Sequence, residues 1–231
     1  RGKKTNNNLW GNKNSILTGD YLLGRCFEIM VEDGSLEVLK LLSSVSSEIA
    51  QGEILQLQHE KEVETLEKTY LEIIGSKTSS LFAASMRVGG CINDKSKNEK
   101  EALTSFGFNL GISFQITDDI LDYYSDKIAF GKVIGNDFYE GKVTLPIIML
   151  YQKSSESERL ALKKMFVRKE RTKEELAHTL NLMTKYQVIA SCKKRAEHFS
   201  SVSADSLGIF SESKEKTRLQ ELAFYIVNRI N

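Results

Sequence analysis

FQITDDILDYYSD, residues 114–126, is the stretch on which the reading of this chain turns. At four-residue steps Phe106, Leu110, Phe114, Asp118, Asp122 and Asp126 form one slowly drifting stripe on a helix, so an apolar stripe becomes acidic. Ile112, Ile116, Ile120 and Leu121 make the other faces apolar too, the pattern of a helix surrounded by protein. Its carboxylates then face an internal cavity. Desolvating each costs on the order of several kcal/mol, and like-charged neighbours add to that cost, so cations have to stand nearby. Oxygen ligands on a rigid helix, without His or Cys, suit a hard cation such as Mg2+, which keeps waters and shares itself with phosphates. A solvated helix end is the other reading of the same aspartates. Downstream, GKVIGNDFYEGKVTLP (131–146) places Lys132, Asp137 and Lys142 in a glycine-punctuated loop. Glycines let backbone approach a ligand, and lysines meet phosphate as point charges. Carboxylates, hard metal and lysines together point to a diphosphate.

The remainder of the chain can bury such a helix. It has 231 residues and 41% apolar content, enough for a packed core. Thirty-two basic residues balance 31 acidic ones, which removes the global basic field that nucleic acid would require. Cys26, Cys91 and Cys192 are far apart and in no metal-ligand spacing, which suits reduced thiols and a cytoplasmic protein. No apolar run approaches the roughly 20 residues of a membrane span, and the polar start RGKKTNNN does not resemble a signal peptide. The expectation is a protein in solution, or at most peripheral to a membrane.

Pro146 is the single proline, so long segments are free of helix breakers. Apolar residues recur at helical spacing in ILTGDYLLGRCFEIM, in LEVLKLLSSVSSEIA, from Val63 to Val88 and from Leu103 to Tyr124. Further helices are expected to open at Pro146, to open at Thr172 with Glu175 completing a capping box, and to end in ELAFYIVNRI. Gly89 with Gly90 and GNDFYEGK (135–142) read as loops, and the charges from Lys61 to Lys68 read as a solvated helix face. The whole reads as one all-α domain over residues 1–231.

FQITDDILDYYSD followed by GKVIGNDFYEGKVTLP resembles the second aspartate-rich motif and lysine loop of the trans-type polyprenyl diphosphate synthases. TGDYLLGRCFE, GEILQLQ, YLEIIGSKTSSLFAAS and the closing ELAFYIVNRI follow the family's order. The resemblance implies the isoprenoid synthase fold, a bundle of long antiparallel helices around a central cavity, usually as a homodimer. It implies a Mg2+-assisted reaction in which an allylic diphosphate ionises, isopentenyl diphosphate attacks the cation, and a proton is lost. Carried over residue by residue, Asp118 resembles the direct metal ligand, with Asp119 and Asp122 acting through water or as supporting acceptors. Lys77 and Lys142 match lysines on the allylic diphosphate, and Lys132 belongs to the same phosphate environment. Thr78 and Gln115 match groups near the reacting carbon. Phe114 flanks the isopentenyl pocket or is a core aromatic.

The family also carries a first aspartate-rich motif ending in two arginines and a glycine, and this sequence opens with RGK. Arg1 resembles the second of those arginines, which grips isopentenyl diphosphate. The expectation is therefore a domain shown without its N-terminal helices. Intact Asp118, Asp119 and Asp122 favour an active synthase over a non-catalytic or regulatory subunit of a heteromeric enzyme, and the lysine loop tells against a terpene cyclase. TKYQVIASCKKRAEHF and FYIVNRIN look most like bacterial octaprenyl and decaprenyl synthases that make quinone side chains, with farnesyl or geranylgeranyl products as the shorter alternative. A long-chain product would bring peripheral membrane contact at its release.

Overall fold

The computed structural model describes residues 4–124 and 134–229. Arg1, Asp126 and Lys132 lie outside the described residues. Among those described there is no strand. The order is α1 (Asn6–Asp33), α2 (Leu36–Gln58), α3 (Glu67–Ile74), α4 (Ser80–Ile92), α5 (Lys97–Tyr123), α6 (Asn136–Glu140), α7 (Leu145–Lys153), α8 (Glu156–Val167), α9 (Lys173–Lys185), α10 (Val188–Ser206) and α11 (Lys214–Asn228). A π-helical turn, Gly75–Ser79, joins α3 directly to α4. This is the all-α architecture that periodicity and resemblance pointed to. No helix among the described residues is long and apolar enough to cross a membrane.

Local sequence starts and stops these helices in recognisable ways. Capping boxes open α5 (Ser96 with Glu99), α8 (Ser155 with Glu158) and α9 (Thr172 with Glu175). Pro146 sits in the first turn of α7, where its missing N–H costs nothing. Gly34 closes α1 in the left-handed conformation. Three expectations differ. Gly89 and Gly90 lie inside α4, because tertiary packing carries the helix through them to Ile92. Residues 136–140 form the short helix α6, held between Gly135 and Gly141, both at positive φ. The run from Lys61 to Leu66 is turn and coil, and α3 begins only at Glu67.

The helix bearing the aspartates runs through the middle. α5 packs on α4, α10, α7 and α11, and its Ile112, Ile116 and Ile120 enter the main core with Phe138, Leu145, Ile148, Phe166 and Val188. Phe106 and Leu110 of the same helix enter a second cluster with Ala204, Leu207, Ala223 and Ile226. Burial on several sides at once explains why its apolar residues do not keep to one face.

Close crossing of α4 and α5 requires Gly107. A Cβ there would stand 2.4 Å from the Phe82 carbonyl oxygen and 2.8 Å from Ala83 Cα, both parts of a helix that cannot step aside cheaply. Gly89, by contrast, has nothing within 4 Å of the position a Cβ would take. Gly→Ala in a helix otherwise gains up to about 1 kcal/mol. We therefore expect opposite signs in denaturant melts: Gly107→Ala loses about 1–3 kcal/mol from overpacking, whereas Gly89→Ala is neutral or stabilising.

Candidate active site

α2, α3, the π-turn, α5 and the loop after α6 enclose a cavity of about 160 Å³. Its lining includes Gln56, Tyr70, Lys77, Thr78, Gln115, Asp118, Asp119, Asp137 and Lys142. Six residues expected from the sequence, Lys77, Thr78, Gln115, Asp118, Asp119 and Lys142, thus come together from three separate segments.

Two glycines set the position of the π-turn. A Cβ on Gly52 of α2 would lie 2.6 Å from the Lys77 nitrogen, and one on Gly111 of α5 would lie 2.6 Å from Ser79 Cα. Neither neighbouring helix could come so close with a larger residue there. Lys77 is then steered by Glu53, at 2.6 Å, and by the Gln56 side-chain oxygen, also at 2.6 Å. On the other wall Lys142 lies 2.6 Å from Glu140 and 3.4 Å from Asp137. Burial alone would lower the Lys142 pKa, but these carboxylates outweigh it and leave it raised, so the side chain is a fixed positive charge.

The three aspartates of the motif have different surroundings. Asp118 is half-buried at the cavity wall and makes no hydrogen bond with the described residues. Asp119 is buried; Tyr70 donates to its Oδ2 at 2.6 Å and the Gln115 amide donates to its Oδ1 at 2.8 Å. Burial pushes the Asp119 carboxyl up to about 7, against the lowering effect of those two hydrogen bonds. Asp122, also buried, accepts the Asp137 backbone N–H at 2.9 Å, and its own carbonyl accepts from Gly135 N at 2.8 Å. It ties the lysine loop to α5. Among the described residues no three acidic, His or Cys side chains converge to hold a metal by themselves. Of the three aspartates, Asp118, expected as the direct ligand, is open to the cavity, and Asp119 and Asp122, expected to act through water or as supporting acceptors, accept hydrogen bonds from protein.

Charge counting bears on whether a cation fits. Among the described residues Glu60, Asp118, Asp119 and Asp137 line the cavity with Lys77 and Lys142 as the permanent positive charges, and both lysines already face carboxylates. A diphosphate entering this acidic space needs additional positive charge. An all-oxygen site with one open carboxylate and no closed cage matches a hard cation that keeps its waters and shares phosphate oxygens. The residues present fit Mg2+, with Asp118 as the side chain free to hold it.

Phe114 does not line this cavity. It packs with the second core cluster, its ring 5.5 Å from that of Phe82, and the Arg229 guanidinium sits 5.6 Å from its centroid. Tyr70 and Arg171 were not anticipated. Tyr70 lies seven residues before Lys77, two helical turns along one face, which was a usable signal. Arg171 offered none, being far away in sequence. Its guanidinium is buried under Gly141, where a Cβ would meet Nη2 at 2.6 Å, and it donates to the carbonyls of Tyr139 and Phe166. It therefore holds the lysine loop from beneath.

Comparison with known proteins identifies the family. The family model described as polyprenyl synthetase matches residues 1–183. An octaprenyl diphosphate synthase of Haemophilus influenzae is 31% identical over 99% of this chain and 69% of its own length. An all-trans-nonaprenyl-diphosphate synthase (geranyl-diphosphate specific) of Rhodobacter capsulatus is 35% identical over 100% of this chain and 70% of its own. Among solved structures, a polyprenyl synthase from Caulobacter crescentus, complexed with calcium and isoprenyl diphosphate, superposes with a TM-score of 0.94 at 34% identity over 100% of this chain and 70% of that one. The chain belongs to the polyprenyl synthetase family.

The different surroundings of the aspartates give a stability test. In metal-free denaturant melts Asp122→Ala should lose about 1–3 kcal/mol, because the Asp137 N–H is left without its acceptor. Asp118→Asn should stay within about 0.5 kcal/mol of the parent, since no protein partner is lost.

Proposed function

We propose that this protein is a prenyltransferase that adds isopentenyl diphosphate head-to-tail to an allylic diphosphate, making a long-chain product of the octaprenyl to decaprenyl class. The observation that carries this reading is the convergence of Lys77, Lys142 and Asp118 on the cavity that also receives Thr78 and Gln115. Lys77 and Lys142 hold phosphate oxygens of the allylic substrate from opposite walls. The allylic carbon–oxygen bond breaks and diphosphate leaves with the electron pair. The double bond of isopentenyl diphosphate then forms the new carbon–carbon bond, and a proton is lost to restore the alkene. Mg2+, when bound at Asp118, supplies positive charge for the leaving diphosphate. No side-chain nucleophile is required, and the cavity offers hydroxyl and amide oxygens instead, at Thr78 and Gln115. Long product is supported by the octaprenyl and nonaprenyl synthases among the relatives, and a quinone side chain is the use we assign to it. We further propose that the protein works as a homodimer in the cytoplasm and releases product at a membrane surface.

The test uses the full-length protein with labelled isopentenyl diphosphate and farnesyl diphosphate. Mg2+-dependent long-chain product is expected; no product with any allylic primer would sink the reading, and would favour a subunit awaiting a catalytic partner. Asp118→Asn should lower kcat by about 10²-fold or more, through loss of charge where the diphosphate leaves. Lys142→Ala should raise KM for the allylic diphosphate by about 10- to 100-fold, the worth of one charge-assisted hydrogen bond.

A further inference from the structure

One hydrogen-bonded chain runs along the cavity wall, through Tyr70, Asp119, Gln115 and Thr78. The Tyr70 hydroxyl, 3% exposed as a residue, donates to Asp119 Oδ2 at 2.6 Å. Asp119 Oδ1 accepts from Gln115 Nε2 at 2.8 Å. An amide has one donating end and one accepting end, so directing its NH2 at Asp119 turns Oε1 the other way. There it accepts the Thr78 hydroxyl at 2.9 Å. A hydroxyl whose only proton is committed offers nothing but oxygen lone pairs to the rest of its surroundings. Thr78 lines the cavity, so what it presents there is an acceptor.

We infer that Tyr70 is a positioning residue, which acts through Asp119 and Gln115 to turn the Thr78 oxygen lone pairs toward the carbon that becomes cationic. This rests on the function proposed above and adds to it a residue with no phosphate or metal to hold. Positive charge developing on an allylic carbon is stabilised by a fixed acceptor dipole, and is opposed by a hydroxyl free to rotate its proton inward. Removing the Tyr70 hydroxyl leaves Asp119 short of a donor. The Asp119 carboxylate can then swing, and the Gln115 amide loses the partner that fixes its direction. Lys77 and Lys142 are held by Glu53, Gln56 and Glu140, so their grip on diphosphate is independent of this chain.

The experiment is a double-mutant cycle in the full-length protein, assayed well below each variant's melting temperature. Tyr70→Phe should lower kcat about 10- to 100-fold, the scale of a misaligned reacting group, while KM for the allylic diphosphate stays within about twofold. Thr78→Val should lower kcat similarly, and Thr78→Ser, which keeps the hydroxyl, should restore most of it. Tyr70→Phe combined with Thr78→Val should be no slower than the slower single variant, because both cut one chain. Multiplying effects would overturn the inference, as would full kcat in Tyr70→Phe or a KM that rises as kcat falls. If Tyr70→Phe does not fold, Gln115→Leu with Thr78→Val replaces it in the cycle; additivity there would also overturn the inference. A wild-type protein that makes no product overturns the proposed function itself, whereas an active wild type with additive variants overturns this assignment alone.

Discussion

The close approach of three backbones at the π-turn is the constraint on which the site depends. Gly75–Ser79 is wedged between α2 and α5, and contact on both sides is made possible by the absence of a side chain at Gly52 and at Gly111. A widened turn breaks the regular step of the helix, so that Lys77 and Thr78 both line the cavity although they are adjacent in sequence. Packed elements thereby fix where Lys77 and Thr78 enter the cavity. Removing that contact would leave the lysine on an ordinary surface helix, with ample freedom and little direction.

Electrostatics then complete what packing begins. Four carboxylates line a small, recessed space, which would be costly for an isolated protein and becomes favourable once cations enter. Asp119 and Asp122 lower the cost by accepting protein hydrogen bonds, and in doing so they become structural links, one to Tyr70 and Gln115 and the other to the lysine loop. Asp118 is left open. Within one short motif, adjacent carboxylates differ because α5 turns each toward a different neighbour.

Much of this was legible in the sequence. The four-residue stripe from Phe106 to Asp122, with isoleucines on the flanks, announced a helix enclosed by protein, and α5 is buried along both of its core clusters. The S/T-x-x-E pattern at Thr172 marked the start of α9 because the capping box is a local interaction. What escaped was non-local. Gly89 and Gly90 look like a break, yet Gly90 lies against Leu103 and Lys100 of α5, where a small residue permits close packing. Phe114 was readable as a pocket residue or as a core aromatic, and one helical step of about 100° from Gln115 directs it into the second core cluster beside Phe82. Arg171 is about thirty residues beyond the loop it supports, and no periodicity connects the two.

The lysine loop shows how these levels combine. Gly135 and Gly141 adopt left-handed backbone at either end of α6, so the chain doubles back within a few residues. Asp122 fastens the first end to α5, and Arg171 fills the space beneath the second with its ring contacts to Phe138 and Phe166. Between those anchors Glu140 and Asp137 aim Lys142 at the cavity. A loop held at both ends by buried charged groups can present a lysine as firmly as a helix can, and its glycines are packed against Leu176 and Arg171 where a side chain would not fit. Loop and helix thus reach the same cavity by different means, the helix through close packing at glycine and the loop through hydrogen bonds to buried Asp122 and Arg171.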